Sequence, residues 1–271
     1  MIKEKKKGNK RGLFVLLCIG VFIISFVSSA IFKMTYTPSE LKKYSVEWKD
    51  EMGSIYTDIS YGDEESNKFD LYVPADNSKK VYGLVVYLHA GGFTTGDKAD
   101  DVKMLQWLCS KGYVAVGINY TLCDDEHPTA NVYTQSIDIK NAMPVVVEEA
   151  RKLGYSIDKM AISGGSAGGC LALLYAYRDK DEAPVPVTMV FEAVGPSSFY
   201  PEDWSNYGFN QDTDEAKEGA VSLFSIMVGN ELTTDMFGTK EYDEAIKDTS
   251  ALLWVDENAV PTVMAYGKYD T

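Results

Sequence analysis

The sequence feature that most constrains the fold is a regular alternation of short apolar runs with longer helical stretches. Residues 84–88 (Leu-Val-Val-Tyr-Leu) are apolar at every position, which is typical of a strand buried on both faces of a parallel sheet. Further strand-like and helical stretches alternate along the chain after this run. The alternation predicts an α/β fold with a mainly parallel central sheet flanked by helices.

The predicted elements follow from composition and spacing. The predicted strands are 55–61, 68–73, 84–88, 113–118, 159–163, 187–191 and 262–266, and the predicted helices are 100–110, 133–153 and 167–177. The first two strands flank an acidic turn, so we expect them to pair antiparallel. Residues 194–250 interrupt the alternation and are rich in acidic and aromatic side chains. This insertion is interpreted either as a lid or pocket wall or as a packed surface excursion without a functional role.

The N-terminus has a different character from the rest of the chain. Residues 12–32 contain no charged side chain and follow a cluster of six basic residues. About 20 apolar residues are enough to span a bilayer as a helix. Residues 1–32 are therefore predicted to be a basic cytoplasmic segment with a transmembrane anchor, or else a signal peptide cut after Ala30. Residues 33–54 would form a stalk, and either interpretation places residues 33–271 outside the cytoplasm, tethered to the cell membrane or secreted.

The charge distribution excludes a nucleic-acid-binding function. Residues 33–271 carry 20 basic and 39 acidic side chains, whereas binding to nucleic acid requires a basic surface. Three cysteines, Cys109, Cys123 and Cys170, lie in this part of the chain, and a disulfide between the first two is left open. No cysteine or histidine spacing indicates a metal site, and no cofactor is predicted.

The strongest chemical signal is the pattern Gly164-x-Ser166-x-Gly168, which lies between a predicted strand and a predicted helix. Small neighbours let the chain turn sharply at the serine and project its hydroxyl into a crevice. The following helix directs the positive end of its dipole at negative charge that develops there. Ser166 is therefore a candidate nucleophile.

A second glycine-rich motif, His89-Ala90-Gly91-Gly92, comes directly after the apolar run 84–88. Paired glycines at the end of a strand allow the backbone to approach a ligand closely. They can also present N–H groups to an oxyanion. The motif therefore predicts an oxyanion-binding loop next to the candidate nucleophile.

Together these motifs make residues 55–271 resemble α/β-hydrolase esterases and lipases of the hormone-sensitive-lipase-like and feruloyl- or acetylxylan-esterase-like kinds. Two further segments carry the resemblance, Asn119-Tyr120-Thr121-Leu122 and Tyr266-Gly267-Lys268-Tyr269-Asp270. The resemblance implies that Ser166 is the nucleophile and Asp270 the catalytic acid. It also implies oxyanion donors at the N–H groups of Gly91, Gly92 and Ala167, and structural roles for His89, Gly164 and Gly168. Ala90 stands where the family usually has glycine, but it is not one of these donors.

The catalytic histidine of the family is not recognisable in the sequence. The triad order in this fold is serine, acid, histidine, and only Thr271 follows Asp270. His89 belongs to the glycine motif, and His127, in an acidic loop, is either a solvated residue or a stand-in base. We therefore expect the sequence to be a fragment that stops before the last strand, the last helix and the histidine of the domain.

These observations predict a serine hydrolase that cleaves carboxylic esters through an acyl-enzyme on Ser166. The expected substrates are small-molecule, short-chain, carbohydrate or aryl esters. Two alternatives remain open at this point. The chain could be a catalytically inactive binding module on the same fold, because the base is missing, or a serine peptidase of the same fold.

Overall fold

The computed structural model describes residues 10–36 and 42–268, and the chain divides into two units, residues 1–44 and 45–271. In the first unit, Lys10–Thr35 form helix α1, whose described apolar side chains are largely exposed. Across the described ranges, no helix has the length and hydropathy needed for a membrane span. The apolar run thus forms a helix, but its predicted role as a transmembrane anchor gains no support and stays a prediction.

The second unit is built on one seven-stranded sheet in the order β1-β2-β4-β3-β5-β6-β7. Its strands are β1 (Gly53–Ser60), β2 (Lys68–Pro74), β3 (Tyr82–Leu88), β4 (Val114–Ile118), β5 (Ile157–Gly165), β6 (Val187–Ala193) and β7 (Thr262–Ala265). β1 pairs antiparallel with β2, and β2 pairs antiparallel with β4. All the other pairs are parallel. This topology confirms the predicted α/β fold with a mainly parallel sheet.

Helices connect the parallel strands. They are α2 (Val102–Ser110), α3 (Val132–Lys152), α4 (Ala167–Tyr177), α5 (Asp214–Val228) and α6 (Lys240–Ile246). Every residue of α4 is buried, as expected for a helix that is apolar on all sides. The side chain of Asn131 caps α3 by accepting a hydrogen bond from the N–H of Thr134 at 3.0 Å, which fixes where that helix begins.

The sheet separates two apolar cores. Along β4, Val114 and Val116 belong to the larger core that contains α3 and α4. Ala115 points to the opposite face and joins a smaller core with Leu105 of α2. This alternation is the two-residue period of a strand buried on both faces. The helices therefore cover both faces of the sheet.

The register of the parallel strands determines which loops meet at the carboxyl edge. Leu88, the last residue of β3, is paired with Gly164 near the end of β5. Gly165, the last residue of β5, is paired with Ala193, the last residue of β6. The segments that follow these three strands therefore leave the sheet side by side. They include both glycine-rich motifs.

The cysteines of the second unit do not form a disulfide. Cys109 is buried in the smaller core, whereas Cys123 is half-buried in the segment after β4. Cys170 is fully buried in α4. Burial raises the pKa of Cys109 and of Cys170 to about 12, so both thiols stay protonated and act as apolar core residues.

A buried lysine, Lys98, forms ion pairs with carboxylates of the antiparallel strands β1 and β2. Lys98 Nζ lies 2.8 Å from Asp58 Oδ1 and 3.1 Å from Asp70 Oδ1, and the side chains of Lys98 and Asp70 are 8% and 7% exposed. Burial lowers the pKa of Lys98, but its hydrogen bonds to the two carboxylates raise it more, so this pKa lies above its ordinary value. The lysine therefore stays charged in the folded protein.

We predict that Lys98→Met lowers the free energy of unfolding by about 3–5 kcal/mol, because it leaves the buried Asp70 carboxylate without its cation. Lys152→Met is the control, since in the ion pair of Lys152 with Glu149, at 2.7 Å, the lysine side chain is 58% exposed. Lys152→Met should lower the free energy of unfolding by about 1 kcal/mol or less. Urea denaturation of the two variants measures the difference. Equal losses in both would contradict the importance of the buried pair.

Candidate active site

Ser166 occupies a sharp turn between strand β5 and helix α4. Its backbone has a positive φ, with φ 51° and ψ −121°, a conformation that costs a non-glycine residue about 1–3 kcal/mol. The surrounding backbone holds this conformation: the Ser166 N–H donates to the Ala193 carbonyl at 2.8 Å, and its carbonyl accepts from the Cys170 N–H at 3.1 Å. The strain is therefore maintained by the end of β6 and by the first turn of α4.

The glycines around Ser166 allow close backbone packing. A Cβ at Gly164 would lie 2.4 Å from the carbonyl of Gly168. A Cβ at Gly168 would lie 2.1 Å from the Leu88 carbonyl oxygen and 2.6 Å from that of His89. Both positions therefore require glycine, whereas Gly165 has ordinary space, with its nearest neighbour at 3.8 Å. The first turn of α4 is thus packed directly against the end of β3.

The loop after β3 contains two backbone N–H groups that have no acceptor in the described part of the chain, at Gly91 and Gly92. Gly91 has φ 134° and Gly92 has φ 59°, and within residues 42–268 their N–H groups donate no hydrogen bond. The Gly91 carbonyl accepts from the N–H groups of Thr94 and Thr95 at 3.1 and 3.0 Å. The Gly91 carbonyl and the Gly92 N–H belong to one planar, trans peptide unit and point in opposite directions. These bonds therefore direct the Gly92 N–H away from Thr94 and Thr95.

His89 fixes the neighbouring peptide of the same loop. Its Nδ1 lies 2.7 Å from the Ala90 carbonyl oxygen, so Nδ1 carries the proton, and the bond orients the peptide that contains the Gly91 N–H. The ring stacks on Tyr120 with 4.3 Å between centroids. Burial lowers the pKa of His89, which keeps the ring neutral at neutral pH. The place of His89 beneath the loop agrees with a structural role.

Ala90 is compatible with the loop although the resembling family usually has glycine there. Its side chain is exposed, and its φ is not positive. Neither close packing nor a left-handed backbone requires glycine at this position.

A cavity of about 830 Å³ opens over Ser166, Gly92 and Phe93, a volume typical of small-molecule sites. Much of its wall comes from residues 194–250, including the apolar side chains Trp204, Tyr207, Leu223, Ile226 and Met227. Polar side chains also line it, among them Asn131, Ser198, Asp203 and Asn206. The cavity combines an apolar wall with several polar groups near the candidate nucleophile.

The structure brings most of the predicted site residues together. Ala167 is the first residue of α4, and N–H groups in the first turn of a helix have no acceptor within the helix. It adjoins Ser166, which lines the same cavity as Gly92, and Gly91 precedes Gly92 in the loop. Asp270 lies outside the described residues.

The two histidines do not supply a base at this site. His127 contacts Asp124 at 3.2 Å and Glu64 at 3.7 Å. Neither His127 nor His89 is among the residues that line the cavity. The interpretation of His127 as a stand-in base thus gains no support from its position. No cluster of three or more His, Cys, Asp or Glu side chains within 10–36 and 42–268 is placed to hold a metal ion.

Sequence reasoning missed a second set of residues at the end of β6. Val194 has φ 56°, a strained conformation for a β-branched residue, and its N–H donates to the Ala265 carbonyl at 3.0 Å. Glu192 is fully buried, and its Oε1 accepts from the Gly195 N–H. The Tyr266 hydroxyl donates to the Gly195 carbonyl at 2.6 Å. The available signal was a glutamate inside strand β6, whose other residues are uncharged.

Comparison with known proteins agrees with this architecture. A model of the BD-FAE family matches residues 69–271. Esterase LipI of Mycobacterium tuberculosis is 30% identical over 152 residues, which cover 55% of this chain and 45% of LipI. The probable carboxylic ester hydrolase LipM of the same organism is 33% identical over 128 residues, covering 46% and 28% of the two chains. The chain therefore matches less than half the length of either relative.

Among solved structures, an inhibited form of esterase B from Lactobacillus rhamnosis superposes with a TM-score of 0.62 and 17% sequence identity. The superposition covers 93% of this chain and 75% of that chain. At this identity the similarity establishes the fold alone.

We predict that Gly168→Ala lowers the free energy of unfolding by about 1–3 kcal/mol, because the new methyl group would overlap the carbonyls of Leu88 and His89. Gly165→Ala is the matched control in the same turn, and its loss should stay below about 1 kcal/mol because the site has ordinary space. Chemical denaturation monitored by circular dichroism compares the two variants. A loss in Gly165→Ala that matches or exceeds that in Gly168→Ala would refute the proposed close packing.

Proposed function

The chain belongs to the BD-FAE family of α/β-hydrolase esterases, and we propose that it is a serine hydrolase that cleaves carboxylic esters. One observation carries the proposal. Ser166 sits in a strained strand-to-helix turn at the base of a cavity that also contains Gly92. A serine and backbone N–H donors in one cavity are the two parts that acyl transfer requires for attack and for oxyanion stabilisation.

The proposed reaction begins with attack of the Ser166 hydroxyl oxygen on the ester carbonyl carbon. The carbonyl oxygen becomes an oxyanion and accepts hydrogen bonds from the N–H groups of Gly91, Gly92 and Ala167. The serine proton passes to a general base and from there to the leaving alcohol as the ester bond breaks. Water then attacks the acyl-enzyme by the same route and releases the carboxylic acid.

Ser166 needs a general base, because a serine hydroxyl is a poor nucleophile unless a base takes its proton. Neither histidine of residues 1–271 lines the cavity. We therefore assign neither His89 nor His127 as the base, and we propose that Asp270 orients the group that takes the proton. This assignment follows the serine, acid, histidine order of the fold.

The cavity supports neutral ester substrates of modest size. Trp204 and Tyr207 lie in its wall with 5.3 Å between their ring centroids, and such rings can pack against an aryl or sugar group. The acidic excess of residues 33–271 disfavours anionic polymers. We propose short-chain, carbohydrate or aryl esters as the substrate class.

We expect the natural gene product to hydrolyse p-nitrophenyl butyrate and Ser166→Ala to lower kcat by roughly 10³-fold or more, as loss of a catalytic serine does elsewhere. Ser222→Ala is the control, since Ser222 is an exposed serine of α5 that does not line the cavity. Its kcat should match the wild type.

Three results would count against the proposal. Absence of hydrolysis by the wild type would favour the binding-module alternative. Retention of activity in Ser166→Ala would show that another group is the nucleophile. Faster turnover of an aminoacyl-anilide than of the ester would instead indicate a peptidase.

A further inference from the structure

A fully buried glutamine joins the two loops that follow β3 and β4. Gln135 lies in the first turn of α3 and has no exposed surface. Its Nε2 donates to the Phe93 carbonyl at 2.8 Å and to the Thr121 carbonyl at 2.9 Å. One amide group therefore connects the oxyanion loop, the loop after β4 and helix α3.

Both hydrogen bonds of the Gln135 side chain are donated by its amide nitrogen, Nε2. Within the described residues, Oε1 has no hydrogen-bond partner, although a buried acceptor without a partner costs free energy. Rotating the amide by half a turn would place Oε1 against two carbonyl oxygens, so Nε2 must be the atom that faces them. The two donated bonds, to backbone carbonyls of two different loops, are what an amide supplies at this position and an apolar side chain would not.

Phe93 is the residue that these bonds hold in place. It has φ 68°, a conformation that non-glycine residues avoid because Cβ comes too close to the carbonyl oxygen. Its carbonyl accepts from Gln135 and also from the Cys123 N–H at 3.0 Å. Without the glutamine, one of the two bonds that oppose relaxation of Phe93 would be lost.

The conformation of Phe93 bears directly on the oxyanion donors. Phe93 follows Gly92, and both residues line the cavity that contains Ser166. Gly92 has φ 59°, and a Cβ built on it would have no atom within 4 Å. Close packing of neighbouring atoms therefore does not restrain the backbone of Gly92. The backbone on either side must hold it, through the turn at Gly91 on one side and through Phe93 on the other.

We propose that Gln135 is a positioning residue for the oxyanion hole, holding Phe93 in its left-handed conformation and so keeping the Gly92 N–H directed at the reacting carbonyl. The inference rests on the proposed esterase function. Gln135 does not line the cavity and so acts on the substrate only through the loop. Its loss should therefore affect the transition state, where the oxyanion forms, more than substrate binding.

The test uses Gln135→Met, which keeps the length and apolar volume of the side chain but donates no hydrogen bond. On the natural gene product with p-nitrophenyl butyrate, we expect kcat to fall by about 10- to 100-fold, as misplacement of an oxyanion donor does. KM should stay within about twofold. Affinity for a trifluoromethyl ketone, which forms a hemiketal oxyanion on the serine, should fall by about the same factor as kcat/KM.

Asp138→Ala is the matched control. Asp138 lies on the same helix and accepts a hydrogen bond from the Thr121 N–H at 2.9 Å, so the variant removes one bond to the loop after β4 but none of the bonds to Phe93. Its kcat and its affinity for the ketone should remain close to wild type. A comparable fall in both variants would mean that Gln135 supports the fold in general, and this result would overturn the inference.

The remaining outcomes separate this inference from the function on which it rests. Wild-type hydrolysis that depends on Ser166, together with an unchanged kcat in Gln135→Met, would overturn the inference and leave the esterase function standing. Absence of wild-type hydrolysis would overturn both. A selective fall in kcat and in ketone affinity for Gln135→Met would support the positioning role.

Discussion

The candidate site depends on one close backbone approach between the first turn of α4 and the end of β3. Gly168 lies so near the carbonyls of Leu88 and His89 that no side chain fits between them. This contact sets the distance between the turn at Ser166 and the loop after β3. The pairing of Leu88 with Gly164 sets their alignment along the sheet. The geometry of the candidate site is therefore a property of the parallel sheet rather than of the loops alone.

Around this contact, the structure holds several residues in strained backbone conformations. Ser166, Phe93 and Val194 all have positive φ values and all line the same cavity. Each is held by hydrogen bonds from neighbouring segments: the end of β6 at Ser166, Gln135 at Phe93, and β7 at Val194. Strain concentrated in this way is a common feature of functional sites, where the surrounding structure must maintain it.

Sequence patterns predicted the parts of the molecule that local chemistry determines. The seven strands and the turn at Ser166 follow from apolar runs and from glycines at fixed spacing. The hydrogen bonds of Gln135 to the loops after β3 and β4 could not be predicted, because they join segments distant in sequence. Asp270 lies outside the described residues, so its assignment as the acid remains a proposal. The apolar N-terminal run forms α1 as a helix, but its role as an anchor also remains a prediction.

The most direct test of the esterase assignment is to treat the natural gene product with a fluorophosphonate ester and to locate the adduct by intact mass and peptide mapping. This reagent reports the reactivity of the serine and the stabilisation of an oxyanion-like group without any assumption about the substrate. The predicted result is a single adduct on Ser166. No adduct on the folded protein, or an adduct on another residue, would contradict the assignment of this site as a serine hydrolase centre.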